Sequence, residues 1–228
     1  MAAGKLYIIA TPIGNLEDIT LRALRVLGEV DLVAAEDTRT TGRLLSHFSI
    51  KKPLTSYFEH NEQHKTPQLL DRLEQGLTLA LVTDAGTPCI SDPGYRLVVG
   101  AIERGIPVET LPGACAAVAA LSISGMAVHR FAFEGFLPPK TGRRTKALES
   151  LALDERTLIF YESPHRITRA LADMLAVLGD RRAVLVREQT KMHEEVIRMG
   201  LADMLRAVEG RKLKGEITLV VEGCRADI

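Results

Sequence analysis

LALVTDAGTPCISDPGY, residues 79–95, decides how the chain is read. Leu79–Val82 is a short apolar run that suits a buried strand. Asp84, Gly86, Pro88, Asp92, Pro93 and Gly94 crowd the positions behind it, and a helix fits Tyr95–Arg104. A strand that breaks into such a loop and then a helix places the loop at the carboxyl end of a sheet, where open α/β sheets bind ligands. Glycine lets backbone approach a ligand and proline fixes a turn, while Asp84 and Thr87 add hydrogen-bonding side chains. A plain connecting loop is the alternative, but a stretch this dense in turn formers favours a binding site.

Outward from that stretch, strands and helices alternate, which is α/β architecture. Strands fit Lys5–Ala10, Leu32–Ala35, Leu54–Ser56, Leu79–Val82 and Val108–Thr110, then Phe131–Gly135, Thr157–Tyr161, Arg182–Val186, Glu194–Gly200 and Glu216–Val221. Helices fit Thr20–Gly28, Thr41–Phe48, Lys65–Gln75 and Tyr95–Arg104 in the first half. A small-residue helix runs from Gly113 through Leu121, followed by helices at Arg144–Ser150, Ile167–Leu178 and Leu201–Val208. Two compact sheets are expected, in domains 1–112 and 113–228, and no internal repeat is visible.

The 228 residues suffice for one large domain or two small ones, and 46% hydrophobic with 25% charged residues is ordinary globular composition. No stretch reaches the ~18 unbroken apolar residues of a membrane span. The N-terminus lacks a secretory pattern, because Gly14-Asn15-Leu16-Glu17-Asp18 interrupts it. Cys89, Cys115 and Cys224 are widely spaced and odd in number, which points to a reducing cytosol, without disulfides or a zinc ribbon. The net charge of zero argues against coating nucleic acid by bulk electrostatics. Residues 1–112 nevertheless carry 11 Lys/Arg against 14 Asp/Glu, and residues 113–228 carry 18 against 15.

No GxGxxG follows the first strand and no GxxxxGK[ST] occurs, which disfavours a dinucleotide fold and a P-loop triphosphatase. The first strand ends in Ala10-Thr11-Pro12-Ile13-Gly14-Asn15-Leu16. A third turn-rich segment, Leu111-Pro112-Gly113-Ala114-Cys115-Ala116-Ala117, opens a helix whose small side chains leave amide N–H groups accessible. Three such loops fit a flat, mostly uncharged cofactor better than a triphosphate.

ATPIGNLEDIT (10–20), AAEDTRTT (34–41), TDAGTPCISDPGY (83–95), LPGACAA (111–117), FEGFLPPK (133–140), IFYESPHR (159–166) and REQTKMHEE (187–195) occur in that order. Together they resemble the tetrapyrrole methylase superfamily, and within it the family of small-subunit ribosomal RNA (cytidine-2′-O)-methyltransferases I. The resemblance runs from Lys5 to Val221. It implies a two-domain α/β fold of two mixed sheets flanked by helices, with S-adenosyl-L-methionine in an interdomain cleft. It also implies a cytoplasmic homodimer that methylates a cytidine ribose of 16S ribosomal RNA at the decoding centre of the small ribosomal subunit.

Carried over residue by residue, the resemblance places Pro12, Asp84, Ala85, Gly86, Thr87, Ile90, Cys115 and Ala116 on the cofactor. Tyr161, Glu162, Glu188 and Gln189 would line its adenosine side. Relatives commonly have Ser or Thr where this chain has Cys115, so a side-chain hydrogen bond is lost there and packing or backbone contact remains.

Methyl transfer from a sulfonium is an in-line displacement, so much of its acceleration comes from positioning. A ribose 2′-hydroxyl is a weak acid, and a general base adds ~10²–10⁴-fold. Catalytic candidates are Glu36, Asp37, Arg39 and His60. Capping of a helix by Asp37 or Thr38 is the alternative for the first pair, and phosphate contact a second role for Arg39. His60 and His64 stand four apart without the HExxH order, so no metal is expected, and Asn61 joins His60 as a residue to test. Lys140, Arg143, Arg144 and Lys146 form the clearest basic cluster and the first choice for RNA phosphates. His165 and Arg166 are further RNA candidates, and Arg211-Lys212-Leu213-Lys214 is a second basic run. Aromatic content of 4% argues against a broad base-stacking platform. The rivals are a tetrapyrrole C-methylating sibling, which EDTRTT, PHR and the basic 140–146 loop disfavour, and a docking module without catalysis.

Overall fold

Short apolar runs joined by amphipathic helices pair as parallel strands, because no tight hairpin links them. In this computed structural model, which describes residues 4–224, that rule governs the first of two compact units, Met1–Cys115 and Ala116–Ile228. The first unit holds strands β1 (Leu6–Ile9), β2 (Leu32–Ala35), β3 (Leu54–Ser56), β4 (Leu79–Val82) and β5 (Val108–Leu111). Their order is β3-β2-β4-β1-β5, and every pairing is parallel. This corrects the expectation of two mixed sheets: each link in this unit carries a helix, so no strand reverses. The helices are α1 (Leu21–Glu29), α2 (Thr38–His47), α3 (Glu62–Glu74) and α4 (Tyr95–Glu103).

Alternate strand residues serve opposite faces. Ile9, Val33, Ala35, Ala80, Val82 and Leu111 pack with Val26 and Leu27 of α1 and Leu45 of α2. Leu6, Ile8, Leu32, Ala34, Leu79 and Leu81 pack with Leu69, Leu70 and Leu73 of α3 and Leu97 and Ala101 of α4. The chain steps one way across the sheet from β1 through β3 and the other way from β3 through β5. Right-handed crossovers therefore send α1 and α2 to one face and α3 and α4 to the other. The neighbours β1 and β4 release their loops to opposite faces, which makes their carboxyl ends a topological switch point.

The second unit contains α5 (Ala116–Ser124), β6 (Phe131–Phe136), α6 (Thr141–Glu149), β7 (Thr157–Glu162) and α7 (Ile167–Leu178). It continues with β8 (Arg182–Arg187), β9 (Glu195–Gly200), α8 (Leu201–Val208) and β10 (Ile217–Val221). The order is β6-β7-β10-β8-β9, with β6 and β7 parallel and the other pairs antiparallel. This sheet is mixed, as expected. Leu158, Phe160, Leu185 and Leu219 face Leu148 of α6, Leu171 and Met174 of α7, and Met204 of α8.

Arg144 is 2% exposed and ties α6 to α7. Its Nε donates to Asp173 Oδ2 at 2.7 Å, and Nη1 donates to the Pro139 carbonyl at 3.1 Å. Removing one member of a buried ion pair strands its partner. Arg144→Ala is expected to lower unfolding free energy by about 3 kcal/mol, the low end for buried pairs because Asp173 retains some solvent. Arg143→Ala, on an exposed side chain, should change it by less than about 0.5 kcal/mol in the same urea titration.

Candidate functional site

At the switch point the loops after β1 and β4 are bonded to each other. Thr11 N–H donates to the Gly86 carbonyl at 2.9 Å and Gly86 N–H to the Thr11 carbonyl at 3.0 Å. The buried Thr11 hydroxyl donates to the Thr83 carbonyl at 3.0 Å. Gly86 holds φ +90°, a conformation that L side chains rarely adopt. The Thr87 hydroxyl then donates to the Ala114 carbonyl at 3.1 Å, joining the loop after β5. A Cβ on Gly113 would come within 2.9 Å of Ala10 Cβ, so the first and third loops also touch closely. Pro12 is buried, Ala85, Thr87, Cys115 and Ala116 are half-buried, and Ile90 is 41% exposed.

Behind β2, Glu36 Oε2 accepts from the Thr83 hydroxyl at 2.6 Å and from Asp84 N–H at 3.3 Å. Asp84 Oδ1 in turn accepts from Asp37 N–H at 3.1 Å. Glu36, Asp37 and Asp84 thus converge. Asp37 is the N-cap of α2, accepting from Arg39 N–H at 2.8 Å, and it pairs with the Arg39 guanidinium at 2.6 Å. Hydrogen bonds from the Arg39 side chain and backbone hold its carboxyl down at about 2. A carboxylate that holds its proton so weakly is a poor base, so capping accounts for Asp37. Asp84 goes the other way: although the residue is exposed, partial desolvation on the loop, then the Glu36 charge, push its carboxyl above the ordinary 3.8.

His60 is exposed, its ring 6.2 Å from that of Phe58, and among the described residues no hydrogen bond joins it to this network. Asn61 staples its own loop, Oδ1 accepting from Phe58 N–H at 2.9 Å and Nδ2 donating to the Ser56 carbonyl at 3.2 Å. Among the described residues, no group of three or more His, Cys, Asp or Glu is arranged to hold a metal ion. No helix of the described residues is long and apolar enough to cross a membrane.

In the second unit Ala117 N–H, in the first turn of α5, donates to Tyr161 Oη at 3.2 Å. Phe133 and Phe136 flank the Tyr161 ring edge-on at 4.9 and 5.6 Å. The Gln189 amide reaches the Ala116 carbonyl and Ala120 N–H at 3.3 Å each, in the orientation that satisfies both. Glu188 has φ +51°. Burial raises its pKa, but Lys191 and the Glu216 N–H outweigh that and leave the carboxyl below its usual range.

Two candidates do not suit the role expected of them. The Glu162 side chain is 1% exposed, and its carboxylate is occupied by Ser163 N–H at 2.7 Å and Arg166 Nη2 at 3.1 Å. Buried and saturated, it shapes the loop rather than meeting adenosine. Arg144 cannot reach phosphate, because its guanidinium is spent on Asp173 and the Pro138–Pro139 carbonyls. Lys140, Arg143, Lys146 and His165 are all exposed, while Arg166 is half-buried, donating to the Leu137 carbonyl at 2.7 Å. Thr11 and Thr83 escaped notice in the sequence, although a threonine directly behind an apolar strand is a usable signal for such a loop lock.

The family model described as Tetrapyrrole (Corrin/Porphyrin) Methylases matches residues 5–205. The chain belongs to this family. A relative from Haemophilus influenzae, named Ribosomal RNA small subunit methyltransferase I, is 54% identical over 223 residues, 96% of this chain and 79% of that protein. A Pseudomonas aeruginosa protein of the same name is 50% identical over 229 residues, 99% of this chain and 81% of that one. Among solved structures, uroporphyrin-III-C-methyltransferase from Thermus thermophilus superposes with TM-score 0.69 at 24% identity, covering 96% of this chain and 94% of that one. A form of uroporphyrin-III C-methyltransferase from that organism is complexed with S-adenosylhomocysteine (TM-score 0.67, 20% identity, 95% of this chain and 97% of that one).

Asp84→Asn tests the electrostatics. A carboxyl whose folded pKa lies above its unfolded value costs stability once ionised. The substitution should therefore raise the melting temperature at pH 7 and leave it unchanged at pH 3, below the unfolded 3.8. Equal effects at both pH values would refute the assigned cause.

Proposed function

We propose that the chain transfers the methyl group of S-adenosylmethionine to the ribose 2′-oxygen of a cytidine in 16S ribosomal RNA within the small ribosomal subunit. One observation carries the cofactor half of this reading: the interlocked loops Ala10–Asn15, Thr83–Ile90 and Pro112–Cys115 at the switch point. Their small residues, and the Asp84 oxygen left over after Asp37 N–H is satisfied, fit a ligand with hydroxyl and ammonium donors. The carboxylates Glu36 and Asp84 favour a cationic ligand such as a sulfonium and disfavour a phosphate. The RNA half rests on relatives of about half-identical sequence that are named for ribosomal RNA. The fold itself does not choose the substrate, since a uroporphyrin methylase shares it.

When bound, S-adenosylmethionine supplies an electrophilic methyl group. Pro12, Asp84, Ala85, Gly86, Thr87, Ile90 and Cys115, all on the loops of the first unit, would hold it. Glu36 is the base of choice. The Thr83 hydroxyl and Asp84 N–H fix one of its oxygens, and the other is without a partner among the described residues. That oxygen would accept the 2′-hydroxyl proton as the ribose oxygen attacks. Arg39, 87% exposed at its side chain, would steer a neighbouring phosphate. Lys140, Arg143 and Lys146 serve the RNA backbone. The protein is expected to act in the cytoplasm as a homodimer.

Incubation with tritium-labelled S-adenosylmethionine and small subunits from cells lacking 2′-O activity, followed by nuclease mapping, should place label on one cytidine ribose. Label on a base, or on no nucleotide, would overturn the assignment. Glu36→Gln should lower the single-turnover rate by about 10²–10⁴-fold and leave S-adenosylhomocysteine affinity within a few-fold of the parent.

A further inference from the structure

The second unit carries a basic groove that gathers the second basic run of the sequence, Arg211–Lys214, and that the proposed function does not use. It has a volume of about 590 Å³ and is lined by Arg187, Glu188, His193, Arg211, Lys212, Leu213 and Lys214. The hairpin β8–β9 forms one wall and the segment between α8 and β10 the other.

The groove is built rather than incidental. Arg187 spends its guanidinium across it, donating from Nε to Glu195 at 3.0 Å, from Nη1 to the Lys214 carbonyl at 3.1 Å and from Nη2 to the His193 carbonyl at 3.1 Å. Leu213 packs on the core and anchors the far wall. Gly215, at φ +89°, lies so close to Glu188 that a Cβ would collide with that carboxyl.

The charges facing solvent are therefore not those spent on construction. Arg211 places Nη2 on Glu195 at 2.8 Å, and its side chain remains 40% exposed. Lys212 and Lys214 are exposed, and no ion pair holds either among the described residues. Glu188 is neutralised by Lys191 at 2.9 Å, and Glu195 offsets one of its two arginines. A surplus of cations is left on a pre-shaped surface. No Phe, Tyr or Trp lines it, so neither base stacking nor the aromatic anchors typical of protein interfaces are provided. That combination reads a sugar–phosphate backbone without reading sequence.

We infer that the Arg187–Lys214 groove is a phosphate-backbone docking site, in which Arg211, Lys212 and Lys214 hold the sugar–phosphate backbone of the RNA substrate. The inference rests on the proposed RNA methylation and adds a binding surface to it. Arg187 and Glu195 are positioning residues that keep the two walls together.

The test compares the parent protein with Lys212→Ala/Lys214→Ala by filter binding to small ribosomal subunits across a salt series. Each phosphate that a lysine neutralises steepens the dependence of log affinity on log salt by about 0.7 on a single strand to about 0.9 on a duplex, so the double variant should be shallower by about 1.4–1.8. Affinity should fall on the order of tenfold near 0.1 M salt, with S-adenosylhomocysteine affinity unchanged. Unchanged affinity and slope, in a variant whose parent binds and methylates the subunit, would overturn the groove and leave the methylation intact. Weaker binding with an unchanged slope would mean docking on a ribosomal protein, and also overturn it. A parent protein that neither binds nor methylates the subunit would overturn both readings.

Discussion

The reciprocal hydrogen bonds between Thr11 and Gly86 are the constraint on which the candidate site depends. Two adjacent parallel strands whose loops depart to opposite faces leave an open crevice at their ends. Pinning those loops to each other fixes the floor of that crevice, and it requires residue 86 to turn both backbone polar groups toward Thr11 at positive φ. Once this is set, Thr87 can reach Ala114 and Thr83 can reach Glu36. The three loops are thus a hydrogen-bonded unit, which would lower the ordering cost of binding a ligand there.

Burial and pairing sort charged residues of one type into different tasks. Asp37 is held ionised by Arg39 and caps a helix, whereas Asp84, bonded to the Asp37 N–H, has its carboxyl pushed up by partial desolvation and by Glu36. Arg144 braces two helices, while its chain neighbour Arg143 is exposed. Arg187 and Lys212 differ in the same way within one groove. The mild acidic and basic bias of the two halves of the chain resolves into a carboxylate cluster suited to a sulfonium and a cationic surface suited to a polyanion.

Much of this was legible in the sequence because strong local signals agreed. The apolar runs β2, β3 and β4 and the amphipathic helices α7 and α8 lie where periodicity puts them. Helix starts were less legible: α2 begins at Thr38, α3 at Glu62 and α6 at Thr141, each three residues ahead of the apolar pattern. Polar first turns lack the apolar period, and Asp37 as cap was the signal available for α2. The wholly parallel first sheet follows from its helical connections and not from strand composition. The burial of Arg144 and Glu162 could not be read, since it depends on Asp173, 29 residues away, and on how Arg166 turns back onto its own loop.

Amide hydrogen exchange with and without S-adenosylhomocysteine addresses the carboxyl edge of the parallel sheet most directly. Slowed exchange concentrated at residues 10–15, 83–90 and 112–116 is the expected result, because ligand that binds only the folded loops suppresses their local opening. Saturating ligand that leaves those three segments unprotected, or protects other segments alone, would contradict the placement of the cofactor on the Thr11–Gly86 crevice.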